Sequence, residues 1–317
     1  MSHLWLLLLL LFSSVQAREG DPALWDGKRL MEEALQRQQQ SPWVYEEQTL
    51  ILTDRQGEQN VRKQRLYIRA EADGSLKYLL RFTYPPEVEG VTLRIYRDGL
   101  GGIERQLYLP ALGQRMIPNP GVHSGDTFFG SDFSVFDLSD EQIDEFSYLR
   151  SEDPPAAGLL GAKLVVDAFP ATPTNPHPLY RKRRHYIDAE MLTITRTDYY
   201  DHVGRLAKRR SRHDLRPVGR EGETRWRADM VLMENLLLNH RSLLKVEKRI
   251  YSQNYVPAEI FEPKWILQQG EKLIPRRQLW QDLDLDLDVD LDPDLAPEPQ
   301  SLLHPSATTL TANGGLL

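Results

Sequence analysis

The sequence has 317 residues, of which 40% are hydrophobic, with a formal net charge of −7 and no cysteine. A chain without cysteine forms no disulfides and cannot be acylated as a bacterial lipoprotein, so its stability must come from a packed core. Eight acidic residues lie after residue 281 in a segment without Lys or Arg, and the formal charge without them is +1. This near-neutral balance argues against nucleic acid as a partner.

The first 17 residues predict a secretory signal peptide. Residues 4–12 form an apolar run of nine, and Val15-Gln16-Ala17 fits the small-residue rule for cleavage before Arg18. The run is shorter than the roughly 20 residues that a membrane-spanning helix needs. Residues 1–3 contain no Lys or Arg, which departs from the usual basic start. We therefore expect an exported chain that is cleaved near Ala17 and works in the periplasm.

Helices are predicted at both ends of the folded part. Asp21-Pro22 offers an N-cap followed by a proline at the first helical position. An apolar stripe from Leu24 to Leu35 follows at helical spacing, although Gly27 weakens it. This helix is expected to pack on the sheet of its own chain. Residues 257–265 predict a last short helical turn that docks aromatic side chains on the same sheet.

Between these helices, the β-branched and aromatic composition predicts about eleven strands, separated by turn residues. They are residues 43–53, 61–70, 76–84, 91–97, 103–109, 162–169, 180–187, 191–199, 205–214, 224–236 and 242–252. Short connections favour antiparallel neighbours. In residues 76–84, alternation places Tyr78, Leu80, Phe82 and Tyr84 on one apolar face. So many strands predict a barrel or a strongly bent sheet.

A turn-rich loop and an aromatic cluster interrupt the strands between Leu107 and Leu138. The aromatic part contains Phe128, Phe129 and Phe133 around Gly-Ser-Asp at 130–132. Residues 139–146 then predict a short capped helix.

No motif in the chain supports catalysis or metal binding. The histidines do not form H-E-x-x-H or another close ligand spacing. Ser131 lacks the G-x-S-x-G elbow, and Ser124 lies too close in sequence to His123 and Asp126 for triad geometry. Turn formation accounts for both serines. We therefore expect no enzyme and no cofactor.

Two basic runs, residues 181–185 and 208–212, allow two interpretations. They could face an anionic lipid head group, a membrane surface or an acidic partner. They could also lie on a solvated sheet edge, where Lys and Arg discourage the addition of another strand. We favour the solvated edge.

Residues 282–317 form an acidic tail of low complexity. Its alternation of Asp with Leu carries like charges and favours disorder. The spacing matches neither the EF-hand nor the Gly-rich nonapeptide repeat of calcium sites. The folded domain is therefore expected to span residues 18–281.

Three motifs stand in order at a natural distance: L-Y-L-P-A-L at 107–112, G-S-D-F-S at 130–134 and Asp137-Leu138. With Tyr84-Pro85-Pro86-Glu87 before residues 91–95, they resemble the outer-membrane lipoprotein-sorting, LolA-like family. Where relatives carry a basic segment before the phenylalanines, this chain has residues 117–126 without Lys or Arg. The resemblance spans residues 43–265.

The resemblance implies a mainly β fold with a few helices. A strongly curved antiparallel sheet of about eleven strands, an incomplete β-barrel, would be closed by a helical lid around an apolar cavity. We expect the cavity to be lined by Tyr78, Leu80, Phe82, Phe128, Phe129, Phe133 and Trp226.

The function that the resemblance implies is that of a monomeric periplasmic carrier. It would bind lipoprotein acyl chains or another lipid, for outer-membrane lipoprotein sorting or lipid transport, with an inner-membrane transporter as partner. The alternative is an interaction module without cargo, acting in envelope stress or as an accessory of a resistance-nodulation-division transporter.

Overall fold

The computed structural model describes residues 21–38, 41–100, 102–112, 116–118, 128–138, 141–152, 159, 161–171, 180–218 and 225–271. The helices are α1 (Gly27–Arg37) and α2 (Pro263–Glu271). The strands are β1 (Trp43–Thr53), β2 (Gln59–Ala70), β3 (Leu76–Tyr84), β4 (Thr92–Arg97), β5 (Ile103–Tyr108), β6 (Met116–Pro118), β7 (Phe146–Arg150), β8 (Lys163–Pro170), β9 (Lys182–Asp188), β10 (Ile194–Tyr200), β11 (Leu206–Val218), β12 (Arg225–Asn235) and β13 (His240–Ile250). The predicted signal peptide and acidic tail lie outside the described residues.

The sheet contains two strands that the sequence analysis did not predict. β6 is only three residues long. β7 includes Phe146, where a capped helix was predicted, and only a single 3-10 turn, Ile143–Glu145, precedes it. Phe146 and Tyr148 are buried while Ser147 and Leu149 are exposed, which is the alternation of a strand. The helix prediction was wrong because an alternation of only five residues is a weaker signal than the capping residues before it.

One antiparallel sheet contains all thirteen strands, in the order β6-β5-β4-β3-β2-β1-β13-β12-β11-β10-β9-β8-β7. From β1 to β6, each strand pairs with the next one in the sequence, and β6 lies at one edge of the sheet. From β7, at the other edge, each strand again pairs with the next one as far as β13. β1 pairs with β13, so the first and last strands meet in the middle of the sheet. Among the described strands, β6 and β7 are the two edges and do not pair, so the curved sheet is not closed into a barrel, which confirms the predicted incomplete barrel. The chain must therefore cross the width of the sheet between β6 and β7.

The two faces of the sheet carry separate cores. Alternation along β3 sends Tyr78, Leu80 and Phe82 into the largest hydrophobic cluster, on the face that we call the inner face. Leu79 points the other way, into a smaller cluster on the outer face. The predicted alternation of β3 is confirmed for Tyr78, Leu80 and Phe82, whereas Tyr84, at the end of the strand, is 49% exposed and lies outside this cluster.

Helix α1 covers the inner face near the β7 edge. Its N-cap is Asp26, whose carboxylate accepts a hydrogen bond from the backbone N–H of Arg29. The predicted cap, Asp21, instead caps a separate 3-10 turn, Pro22–Leu24. The helix and the strands share a buried cluster that includes Leu30, Met31, Ala34, Phe146, Tyr148, Val166 and Ile187.

Gly27 allows α1 to approach the backbone of the edge strand. A Cβ at this position would lie 2.7 Å from the Arg150 nitrogen, 2.8 Å from the Leu149 carbonyl carbon and 2.9 Å from the Tyr148 oxygen. Because these are backbone atoms that cannot rotate away, we expect Gly27→Ala to lower the free energy of unfolding by about 1–3 kcal/mol. Denaturant unfolding measures the change.

The control for this experiment is Lys28→Ala, since Lys28 is exposed on the same turn of α1. Alanine favours helices, so this variant should match the wild type or exceed it slightly. If Gly27→Ala also unfolded at the wild-type midpoint, α1 would not be seated against β7.

The outer face is covered by the segment after β13. A 3-10 turn, Ala258–Phe261, and α2 pack against β1, β3 and β5. Their shared cluster contains Tyr45, Leu79, Tyr108, Val256, Ile260, Phe261 and Ile266. The predicted helical turn at residues 257–265 is confirmed. In the ranges described, neither helix is long and apolar enough to cross a membrane.

Candidate functional site

Residues 128–138 lie on the inner face, within the crossing from β6 to β7. The rings of Phe128 and Phe129 pack with Phe82 of β3, with centroids 4.9–5.7 Å apart. Phe129 has a left-handed backbone, with φ of 50°. Its carbonyl accepts a hydrogen bond from the buried Arg62 of β2. These contacts attach the segment to one half of the sheet.

Polar side chains attach the same segment to the other half. The buried carboxylate of Asp132 accepts a hydrogen bond from the Ser242 hydroxyl at 2.7 Å and lies 2.9 Å from Nδ1 of His240. The ammonium of Lys208 donates to the Asp132 carbonyl at 2.8 Å. Residues 128–138 are therefore anchored on both halves of the sheet, with β1 between the anchors.

The serines considered for catalysis show no catalytic arrangement within the residues described. Ser131 is buried, and its hydroxyl donates to the Phe128 carbonyl at 2.6 Å, which confirms its predicted role in the turn. Ser124, with His123 and Asp126, lies outside the described residues. No group of His, Asp and Glu among the described positions could hold a metal ion.

Two adjoining cavities lie beside residues 128–138. One has a volume of about 180 Å³ and lies between β1–β4 and β11–β13. The other has a volume of about 620 Å³ and reaches the last turns of α1. Asp137, Leu138, Arg210 and Arg212 line both of them. We call the pair the inner-face cavity, and its size suits a small ligand, since such sites span roughly 300–1,000 Å³.

One wall of the smaller cavity is apolar. Side chains from β2, β3, β4, β12 and β13, with two from the crossing segment, form this wall: Leu66, Tyr78, Leu80, Leu93, Ile95, Phe133, Leu138, Val231 and Leu244. Leu93 and Ile95 were not among the predicted cavity residues. Their alternation in a strand next to β3 could have identified them.

The predicted cavity residues fall into two groups. Tyr78, Leu80 and Phe133 lie in the wall of the smaller cavity. The rings of Phe82, Phe128 and Phe129 instead pack against one another and line neither of the two cavities. Trp226 is also absent from both walls, because alternation along β12 turns its neighbour Arg227 towards the cavity. Contact of any of these residues with a ligand stays a prediction.

The opposite wall is cationic. Four arginines and two carboxylates line the smaller cavity, which gives a formal surplus of +2: Arg210, Arg212, Arg227, Arg249, Glu46 and Asp137. Arg249 lies 2.6 Å from Glu46 and 2.7 Å from Asp229, so its charge is balanced. Arg210 and Arg227 donate to the backbone carbonyls of Asp137 and Gln38.

The basic runs are not a solvated sheet edge, which corrects the favoured interpretation. β9 and β11 each pair with a strand on both sides. A run of five residues on an interior strand must therefore send two or three of them inward. Arg183, His185 and Lys208 are each at most 7% exposed.

Asp137 offsets part of the positive charge. Its Oδ2 accepts hydrogen bonds from the Ser134 nitrogen at 2.9 Å and the Ser134 hydroxyl at 2.7 Å. Burial alone would raise the pKa of this carboxyl, but Lys208, Arg210 and the Ser134 hydrogen bond outweigh burial and hold its pKa below the usual value. Asp137 therefore stays ionised at neutral pH.

A buried charge network borders the larger cavity. A guanidinium nitrogen of Arg183 donates to Glu141 at 2.6 Å, and the Tyr148 hydroxyl donates to the same carboxylate at 3.0 Å. Nε2 of His185 lies 3.5 Å from Glu141. Burial alone would raise the pKa of Glu141, but His185 and Arg183 hold the pKa of this carboxyl well below its ordinary value of 4.5.

Comparison with solved structures identifies the fold. A domain described for outer membrane lipoprotein sorting from Vibrio parahaemolyticus is 21% identical, has a TM-score of 0.66, and matches over 76% of this chain and 98% of its own. A DUF1329 family protein from Desulfovibrio piger is 20% identical, with a TM-score of 0.63 over 74% of this chain and 98% of its own. A LolA superfamily protein from Nitrosomonas europaea is 12% identical, with a TM-score of 0.53 over 75% of this chain and 98% of its own. The fold of this chain is therefore LolA-like.

Comparison with curated proteins returns no match. A family model described as "Uncharacterized protein" matches residues 74–268, from the turn before β3 into α2. This match covers more than half of the chain and includes both walls of the smaller cavity except for their β1 and β2 residues. The chain therefore belongs to this family, and the matched residues contain most of the candidate site.

Proposed function

We propose that the chain is a periplasmic carrier that holds an acyl chain of a lipoprotein or of another lipid in the inner-face cavity. The apolar wall beside residues 128–138 is the observation that carries this proposal. Burial of an acyl chain there would contribute roughly 25 cal/mol for each Å² of apolar surface removed from water. The LolA-like fold supports the same function, since one similar structure is described for lipoprotein sorting.

The path of the acyl chain is proposed to run beneath α1. The larger cavity is lined by Leu35 and Gln38 at the end of α1 and by Leu76 at the start of β3. Movement of α1 would widen this opening, so α1 serves as the lid. Release then requires a partner that binds the open form or offers the lipid a better site.

Further parts of the proposal follow from the sequence. Residues 1–17 are removed on export, residues 18–281 are the carrier domain, and residues 282–317 are an acidic tail. The chain acts as a monomer, without catalysis or a cofactor. An inner-membrane transporter supplies or receives the cargo.

Filling the cavity should block binding. We expect delipidated protein to bind a fluorescent fatty acid saturably, and Leu244→Trp to weaken this binding at least about tenfold, or 1.4 kcal/mol. Leu244 lies in the apolar wall and is partly buried. Val61→Trp is the matched control, because Val61 is 39% exposed on β2 and lines neither cavity. Absence of saturable binding in the wild type would refute the carrier function.

An interaction module is the second candidate. Three consecutive leucines are exposed in the turn between β12 and β13: Leu236 at 41%, Leu237 at 49% and Leu238 at 63%. Exposed apolar groups of this kind favour contact with another protein. Recovery of a transporter from envelope extracts, with no lipid bound to the purified protein, would favour this alternative.

A further inference from the structure

We infer that the cargo carries an anionic group, a carboxylate or a phosphate, beside its acyl chain, and that Arg210 and Arg227 receive this group. The inference rests on the proposed carrier function and adds the chemistry of the ligand. Both arginines belong to the same small cavity as the apolar wall formed by Tyr78, Leu80 and Leu93. An amphiphile could therefore place its chain and its charged end in one site.

The charges that line the smaller cavity support an anion. The positive charge of Arg249 is balanced by ion pairs with Glu46 and Asp229. Asp137 is then the remaining carboxylate among the lining residues, against Arg210, Arg212 and Arg227. A neutral ligand that filled this space would take the guanidinium groups of Arg210 and Arg227 away from water and offer them no negative charge, which is unfavourable. An anionic ligand would replace that water with charge-assisted hydrogen bonds.

The hydrogen-bond donors of Arg210 support the same conclusion. A guanidinium has five N–H donors in a planar fork that matches carboxylate and phosphate oxygens. One nitrogen of Arg210 donates to the Asp137 carbonyl at 3.3 Å, a long hydrogen bond. Its Nε is buried and has no hydrogen-bond partner within the described part of the chain. Arg210 therefore lines the cavity with one of its N–H donors unsatisfied.

The position of Arg227 links this charge to the lid. It donates to the carbonyl of Gln38, the C-cap of α1, at 2.9 Å. The same arginine thus contacts both the end of α1 and the smaller cavity. An anionic group bound there would compete with this carbonyl for the guanidinium, which couples ligand binding to the α1 terminus.

The test compares ligands that share one chain and differ in charge. We expect palmitate to bind the delipidated wild type at least about tenfold more tightly than hexadecanol, with hexadecyltrimethylammonium the weakest. Inorganic phosphate should compete only weakly, because it lacks the chain. Strong binding of phosphate alone would identify an ion site and overturn the inference of an amphiphile.

Variants assign the effect to the two arginines. The double variant Arg210→Gln/Arg227→Gln should lose the preference for palmitate and keep its affinity for hexadecanol. Arg210→Lys/Arg227→Lys retains the charge and should recover part of the preference, and Arg55→Gln, at an exposed turn, should behave like the wild type. Thermal unfolding confirms that each variant is folded at the assay temperature.

The outcomes separate this inference from the carrier function. If palmitate and hexadecanol bind equally, and the glutamine variants change neither, the carrier function stands and the anionic cargo is refuted. If neither amphiphile binds saturably, the carrier function itself fails.

Discussion

Replacing Glu141 with Gln should lower the free energy of unfolding by about 3–5 kcal/mol, because the change leaves a buried arginine without its carboxylate. Arg183 lies 2.6 Å from Glu141, and their side chains are 8% and 7% exposed. In this buried position, the attraction between the two charges compensates for the cost of removing each of them from water. Equilibrium denaturation with urea measures the loss.

A second ion pair provides the control. Glu104 is 51% exposed and lies 3.4 Å from Arg94, so Glu104→Gln should change the stability by less than about 1 kcal/mol. The combined variant Glu141→Gln/Arg183→Met should recover part of the loss, because it also removes the buried cation that has lost the Glu141 carboxylate. Equal effects of Glu141→Gln and Glu104→Gln would mean that the buried pair contributes no more than a surface pair.

The same pair should make the protein sensitive to acid. The pKa of Glu141 is lower in the folded state than its ordinary value of 4.5, so its stabilising effect is fully present above that pH. The effect is lost as the pH falls below 4.5 towards the folded-state pKa. Glu141→Gln should therefore flatten the decline in stability below pH 4.5, relative to the wild type.

Replacing Phe82 with Ala should lower the free energy of unfolding by about 3–5 kcal/mol, since it leaves a hole in the largest core. Phe82 is fully buried, and its ring lies 5.7 Å from both Phe128 and Phe129. Because Phe82 lines neither cavity, the fatty-acid affinity of the folded variant should equal that of the wild type. Phe133→Ala, in the cavity wall, should weaken that affinity.

Tyr84→Ala controls for the loss of an aromatic side chain, since Tyr84 ends the same strand and is 49% exposed. Its stability should change by less than about 1 kcal/mol. A loss of affinity in Phe82→Ala, measured where the variant is fully folded, would place the ligand in the phenylalanine cluster instead of the inner-face cavity.

Local patterns predicted most of the sheet. Alternation in residues 76–84 identified the inner-face side chains of β3, and the turn residues separated eleven of the thirteen strands. β6 is missing from the prediction because three residues are too short to display a period. β7 is missing because Ser139 and Glu141 look like a helix cap, whereas Glu141 forms a buried ion pair with Arg183, 42 residues away.

Sequence patterns predicted part of the apolar wall of the candidate site but not the cationic wall. Tyr78 and Leu80 follow from the alternation of one strand. The cationic wall depends on neighbours across strands: Arg210 and Arg227 lie on different strands, and only the pairing of β11 with β12 brings them to one cavity. Likewise, the sequence shows Gly27 only as a residue that weakens a helix. The structure shows why a glycine is needed there, because the backbone of β7 lies against it.

The pairing of β1 with β13 has a consequence for folding order. Each half of the sheet is built from hairpins whose partners are close in sequence, but this pairing joins Tyr45 to Ile250. Closing so long a loop is slow, so the two halves can form well before they join. Until then β1 keeps an unpaired edge that can pair with another chain. Glu46 and Arg249 face each other across this junction, so joining the halves also pairs the buried carboxylate of Glu46 with the partly buried guanidinium of Arg249.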